Sequence, residues 1–190
     1  MPRKPAYDRD ELIDRARDLF WKKGWAGTSL KDLEHALKLK PGSFYAAFGS
    51  KDALFELAMG RYVRDGGTRI DALVAEHGPL GALREFPFKV ISNPEAPSKA
   101  CMLVKSVLEL TGRDHALAAA ANGHLQSVEK QFERVFHKAQ EAGEISADHD
   151  AQVLARRYQS DLIGLRISAE RHGVDAKAIA AEISDSLLRL

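Results

Sequence analysis

Leu117, Ala121, Leu125, Val128, Phe132, Phe136 and Ala139 return every three or four residues along the stretch from Asp114 to Gly143. Only an α-helix brings positions of that period onto one side, so these residues predict a long bundle helix with Asp114 as its cap and Gly143 as its end. One such helix has an apolar stripe that must be covered, and the rest of the chain offers more helices to cover it. No strand-period stretch, internal repeat or low-complexity tract stands beside it. The chain has 190 residues, enough to bury a substantial core. The fold class expected is all-α.

The remaining helices follow from stripes and caps. Leu12, Ile13, Ala16, Leu19 and Phe20 predict a first helix from Asp8 to Lys23, with Asp8 and Glu11 as a capping pair and Gly24 closing it. A helix opening at Lys51 carries Leu54, Phe55, Ala58, Met59 and Tyr62 toward Ala75, with Gly66-Gly67 expected as an interruption or hinge. Leu80 to Val90 is a helix candidate weakened by Pro87, Ser92 to Ser98 is a turn-rich loop, and Cys101 to Leu110 is a short apolar helix. Asp148 is the expected cap of a helix through Ala151, Leu154, Tyr158, Leu162, Leu165 and Ala169, stopped by Gly173. Asp175 starts a terminal helix with Ile179, Ile183 and Leu187. Val153, Ile163 and Ile167 on the first of these two, and Leu188 and Leu190 on the second, lie off the main stripes and leave apolar surface for a second subunit.

Between the first helix and the one at Lys51 lie two short segments. Leu30, Leu33, Ala36 and Leu37 follow Ser29 and Asp32, a capping pair, and predict a helix ending by Lys38. Pro41 suits the first position of the next helix, where its missing amide hydrogen has no intrahelical partner to lose. There Phe44, Ala47 and Phe48 face one way, leaving Gly42, Ser43, Tyr45 and Ala46 on the other. Two short helices joined by a tight turn, the second narrow and outward-facing, describe a helix-turn-helix able to enter a DNA major groove. The charge balance agrees with that placement. Residues 1–51 hold 11 Lys and Arg against 7 Asp and Glu, a difference of +4, and the remainder holds 17 against 20, a difference of −3.

Gly24-Trp25-Ala26-Gly27-Thr28-Ser29, then Gly42-Ser43-Phe44-Tyr45 with Phe48, and Ser50-Lys51-Asp52-Ala53-Leu54-Phe55 resemble the N-terminal domain of the TetR family of bacterial transcriptional regulators. Two positions depart from the pattern. Lys38 stands where the family often has Gly, and Lys40-Pro41 replaces a Ser or Thr cap and the variable residue after it. The resemblance implies a DNA-binding domain over 1–50 and a larger effector-binding and dimerisation domain over 51–190. It implies a repressor that binds a palindromic operator as a homodimer through its two C-terminal helices and is released by a small molecule. Its partners would then be double-stranded DNA, a second copy and an unidentified effector, with no cofactor, no metal and no membrane.

Resemblance and geometry together nominate the DNA-binding residues Thr28, Lys40, Pro41, Gly42, Ser43, Tyr45, Ala46 and Lys51. Small side chains let the helix backbone approach base edges, Lys40 and Ser43 can donate to bases, Ala46 can touch a thymine methyl, and Tyr45, Thr28 and Lys51 can hold phosphates. Arg3 and Lys4 in the N-terminal tail are further candidates for phosphate or minor groove. For the effector the candidates are Phe86, Met102, Val107, Phe132, Phe136, Tyr158 and Arg166, with Phe88 beside them and His124 or His137 as other polar anchors.

Other function classes find little support. No Ser, His and Asp triad, Gly-rich phosphate loop or zinc spacing is present, and Glu129, Glu133 and His137 share a helix without a partner motif, so an enzyme is not expected. No apolar run nears the roughly 18 residues of a membrane span. The N-terminus lacks a secretory pattern and Cys101 is the sole cysteine, so a cytoplasmic location is expected. Two alternatives stay open: a helical adaptor that binds proteins alone, and a thiol-based redox-sensing regulator in which Cys101 starts a helix near Lys99 and Lys105.

Overall fold

The Asp8 carboxylate accepts the Asp10 amide and starts α1 (Arg9–Lys23), whose apolar stripe Leu12, Ile13, Ala16 and Phe20 is buried. Gly24, at φ 77°, ends it as expected. Glu11 pairs with Arg15 at 2.5 Å instead of closing a capping box. The computed structural model describes residues 8–190, so the Arg3 and Lys4 expectation lies outside the described residues. Beyond α1 come α2 (Leu30–Leu37), α3 (Pro41–Phe48), α4 (Lys51–Ser92), α5 (Met102–Thr111), α6 (Leu117–Glu141), α7 (Ala151–Ser168) and α8 (Ala176–Ser186), closed by one 3-10 turn, Leu187–Arg189. Among the described residues there is no strand, as the sequence pattern predicts.

The 42-residue α4 corrects the sequence reading most. The helix passes unbroken through Gly66-Gly67, and the kink sits at Gly78, with φ 74° and ψ 172°. A left-handed residue followed by Pro79 cannot continue a helix, so a new one starts there, and the Glu144 carboxylate takes the freed Leu80 amide at 2.8 Å. At Gly67 the helix passes close to α6: a Cβ there would come within 3.1 Å of the Gln131 side-chain amide.

Pro87 lies inside the second half of α4 without ending it. Proline has no amide to offer the carbonyl four residues back, here that of Leu83. The buried Tyr158 hydroxyl on α7 donates to that carbonyl at 2.6 Å and replaces the missing bond. Tyr158→Phe should therefore destabilise the fold by about 1–3 kcal/mol, the cost of a buried acceptor left without a donor. An unchanged melting temperature would refute this account.

Three further starts and stops shift. Asp114 does not cap α6; it sits in a turn at φ 50°, and the His115 Nδ1 accepts the Leu117 amide at 3.2 Å in its place. The cap of α7 is Asp150, bound by the amides of Gln152 and Val153, while Asp148 accepts the Ser146 hydroxyl. That helix stops at Ser168, before Gly173. Asp175 caps α8 as expected.

The buried side chains form two cores. One joins α1–α3 and the start of α4 to Met102, Leu103 and Leu110 of α5 and to Leu117 and Ala121 of α6. The other joins the second half of α4 to the later part of α6, α7 and α8. The short N-terminal helices thus pack mainly on one another and on α4 while sharing a core with residues of α5 and α6, and a change in the larger bundle has a route to them.

Candidate nucleic-acid interface and interhelical cavity

Ser29 and Asp32 form the expected capping box at the start of α2, with the Ser29 hydroxyl accepting the Asp32 amide at 3.1 Å and Asp32 accepting the Ser29 amide at 2.8 Å. Lys23 at 2.7 Å, followed by Ser29, holds the Asp32 carboxyl well below the usual carboxylate range. Lys38 takes the left-handed conformation, φ 54° and ψ 38°, in the role the turn usually gives to glycine. Pro41 is the first residue of α3, and Lys40 caps it with backbone alone, making no side-chain hydrogen bond. Leu33, Leu37, Phe44 and Phe48 are buried and fix the angle between the two helices.

This anchoring turns Lys40, Pro41, Gly42, Ser43, Tyr45 and Ala46 outward, all exposed, with Tyr45 49% accessible. The first turn of α3 has no acidic side chain. A narrow ridge with one aromatic hydroxyl, one lysine and three very small side chains is the surface that a major groove can admit. Lys51 stands at the start of α4 with its ammonium 4.2 Å from the centre of the Trp25 ring; burial of its stem lowers its pKa. Thr28 corrects the sequence reading: it is fully buried and its hydroxyl donates to the Gly24 carbonyl at 2.7 Å, so it fixes the turn and does not reach a phosphate.

The α1–α2 turn is gripped from α5. The Glu109 carboxylate accepts the Trp25 amide at 2.9 Å and the Ala26 amide at 2.8 Å. The Lys105 ammonium donates to the Trp21 carbonyl at 2.7 Å, covering the carbonyl end of α1. The Trp25 indole donates to Asp52 at 2.8 Å and lies against His115 at 4.4 Å. With His115 Nδ1 accepting the Leu117 amide, the ring proton belongs on Nε2, 3.5 Å from Asp52. Apart from the local His115–Leu117 bond, these contacts were not visible in the sequence, because each joins residues brought close only by the tertiary fold.

Between the two cores lies a cavity of about 230 Å³. Phe86, Phe132 and Arg166 line it, whereas Met102, Val107, Phe136 and Tyr158 do not, nor do Phe88, His124 and His137. Met102 and Val107 belong to the N-terminal core, and Phe136 and Tyr158 stack on each other at 5.8 Å deeper in the other. The lining also includes Arg17 and Trp21 of α1, Tyr62 and Gly66 of α4, and Cys101, none of which the sequence reading placed there. Trp21 offered one faint signal, a large apolar residue outside the stripe of its helix.

In the cavity wall the Trp21 and Tyr62 rings meet edge to face at 5.0 Å, and the Tyr62 hydroxyl donates to Cys101 Sγ at 3.5 Å. Burial raises the Tyr62 pKa, so the phenol stays neutral. Lys99 and Lys105 spend their ammonium groups on backbone carbonyls, those of Asn93 and Trp21, and not on the thiol. Arg17 ties α1 to α4 through Asp65 and also binds Asp14 and Asp18.

An outward helix of small residues on a three-helix base, joined to a helical bundle with an internal cavity, defines a helix-turn-helix regulator. The chain belongs to the TetR family of bacterial regulatory proteins: residues 12–58 match the model for bacterial regulatory proteins of the tetR family, and residues 80–178 match the tetracyclin repressor-like C-terminal domain. It is 28% identical to the HTH-type transcriptional repressor ComR of Escherichia coli (strain K12), over 99% of this chain and 90% of that protein. A cysteine mutant of the TetR-family regulator CifR, solved with 26 bp double-strand operator DNA, is 29% identical and superimposes with a TM-score of 0.82 over 98% of each chain. A TetR-family regulator from Cytophaga hutchinsonii shares the fold at a TM-score of 0.83 and 22% identity, over 96% of this chain and 94% of that one. The protein is a TetR-family transcriptional regulator. Among the described residues no helix is long and apolar enough to cross a membrane.

Proposed function

We propose that the protein is a repressor that binds a palindromic operator as a homodimer, and that a small molecule in the interhelical cavity releases it. One observation carries the reading: Gly42, Ser43, Tyr45 and Ala46 point away from the core on an unobstructed α3. Residues 1–50 would read the DNA and residues 51–190 would bind effector and partner. Lys40 and Ser43 would meet bases, Ala46 a thymine methyl, and Tyr45 and Lys51 the phosphates. Repression and operator binding are what the names of ComR and CifR describe in those relatives. A regulator acting on DNA in this way works in the cytoplasm, and no catalytic step is assigned to it.

One recognition helix reads too few base pairs, so the operator must be read twice, at centres separated by roughly 34 Å. The dimer face would be the outer side of α7, α8 and the closing 3-10 turn, where Val153 (54%), Ile167 (43%) and Leu188 (58%) are exposed apolar residues and Ser160 and Gly164 permit close helix approach. Release requires that the effector prefer a form whose recognition helices miss the two grooves. The cavity suits that role because α1 forms part of its wall, while Glu109 and Lys105 on α5 hold the turn that leads into the helix-turn-helix.

The test is a gel shift with full-length protein and the intergenic DNA beside its own gene. A retarded band whose affinity falls by about 10³ between roughly 50 and 200 mM salt, as counterions return to about six phosphates, is expected. No shift on any such DNA would favour the adaptor reading.

A further inference from the structure

We infer that the effector is a small planar aromatic carboxylate, held by the Arg166 guanidinium on the cavity wall; this rests on the cavity being the effector site. Arg166 is held in a fixed direction, with Nε donating to the Lys99 carbonyl at 2.6 Å and Nη1 donating to the Tyr62 hydroxyl at 2.8 Å. Both acceptors are neutral. Among the described residues no carboxylate lies within ion-pair distance of Arg166, although the side chain is only partly exposed. What surrounds the charge instead is π-density, with the Trp21 ring centre 5.5 Å and the Tyr62 ring centre 6.0 Å from the guanidinium carbon.

The other lining charges away from the rim are paired with one another. Arg17 is matched by Asp14, Asp18 and Asp65, so both lining aspartates already have a cation. Arg69 and Glu95 are exposed at the rim, where water solvates them. Away from the rim the lining charges sum to zero, Arg17 and Arg166 against Asp18 and Asp65, but among these four Arg166 alone lacks an oppositely charged partner, and a carboxylate matches a planar guanidinium fork best.

Another part of the lining is apolar and includes the Phe86 and Phe132 rings, packed edge to face at 5.6 Å. At Gly66 the wall is bare: a Cβ there would meet nothing within 4 Å. About 230 Å³ at organic packing density holds about a dozen heavy atoms, the size of one ring with a short acid arm. Such a ligand would lie against Trp21 of α1 and Tyr62 of α4 together, and so bear on the junction between them.

The probes are trans-cinnamate, trans-cinnamamide and cinnamylamine, titrated calorimetrically into the full-length protein. Cinnamate should bind at least about tenfold tighter than the isosteric amide, the amine should not bind, and cinnamate alone should weaken the operator shift. Arg166→Gln should lose about tenfold or more in cinnamate affinity, keep its amide affinity and keep the operator shift; Arg166→Lys should restore part of the loss. Equal affinity for acid and amide, tighter binding of the amine, or no binding by all three would overturn the anion assignment. A neutral or cationic member that binds and releases the operator would leave the cavity as effector site and reject only the charge. An operator shift that persists with no ligand bound would leave the DNA-reading function standing.

Discussion

Gly42→Trp is expected to abolish operator binding, by at least about 100-fold in Kd, while leaving the melting temperature within about 1 °C of the parent. The two halves of that expectation come from different observations. At position 42 the backbone is helical, and a Cβ would meet nothing within 4 Å, so the fold has no objection to a side chain there. The same empty space is where a duplex must enter: Gly42 lies on the exposed side of α3 between Lys40 and Ser43, one turn before Tyr45 and Ala46. An indole would hold the helix several ångströms from the base edges and remove the contacts that depend on close approach, and a 100-fold loss corresponds to only about 2.8 kcal/mol per dimer. Gel shift and thermal denaturation on the same preparation check both halves. Retained operator affinity would show that the outward face of α3 is not what meets DNA.

Phe55→Ala should cost about 3–5 kcal/mol, the usual range for deleting a fully buried aromatic ring. Phe55 has no exposed surface, and its ring meets that of Phe20 edge to face at 4.8 Å with an interplanar angle of 86°. It sits one turn into α4, where α4 is packed on α1, so the cavity it leaves falls at the joint between the DNA-reading helices and the bundle. For a chain of this size the loss should lower the melting temperature by about 10 °C at fixed protein concentration. Phe55→Leu should cost much less, since it retains most of the volume. A Phe55→Ala protein that melts like its parent would mean that this core is not continuous across the joint.

Much of this molecule was legible in its residues. The Ser29–Asp32 capping box, Pro41 at the start of α3 and the outward side of α3 are all local consequences of a few neighbouring side chains, and all are found in the structure. The long helix carrying Leu117 to Ala139 is there for the same reason. The errors share a cause as well. Asp114 and Asp148 looked like caps because aspartate is a good one, but Ala116 is the first cap, with His115 accepting the Leu117 amide, and Asp150 is the second. Gly66-Gly67 looked like a break because glycine is a poor helix former, yet burial against α6 outweighs roughly 1 kcal/mol for each glycine. Pro87 weakened the helix expected over Leu80 to Val90, and Tyr158, 71 positions further along the chain, supplies the missing hydrogen bond.

The effector candidates show where reading along the chain ends. Aromatic residues at helical spacing gave Phe86 and Phe132, which line the cavity, and equally Phe136 and Tyr158, which are core. Nothing in a stripe says which of its residues faces a gap and which faces another helix. By themselves the residues determined helix positions, most of the caps, the shape of α3 and the family, because period and capping are short-range physics that any few turns of chain carry within them. Only the tertiary structure decided where the cavity lies, that α1 forms part of its wall, and that Glu109 and Lys105 reach across from α5 to hold the α1–α2 turn. Those facts depend on packing between segments about 80 positions apart, where each contact exists only once the others have formed.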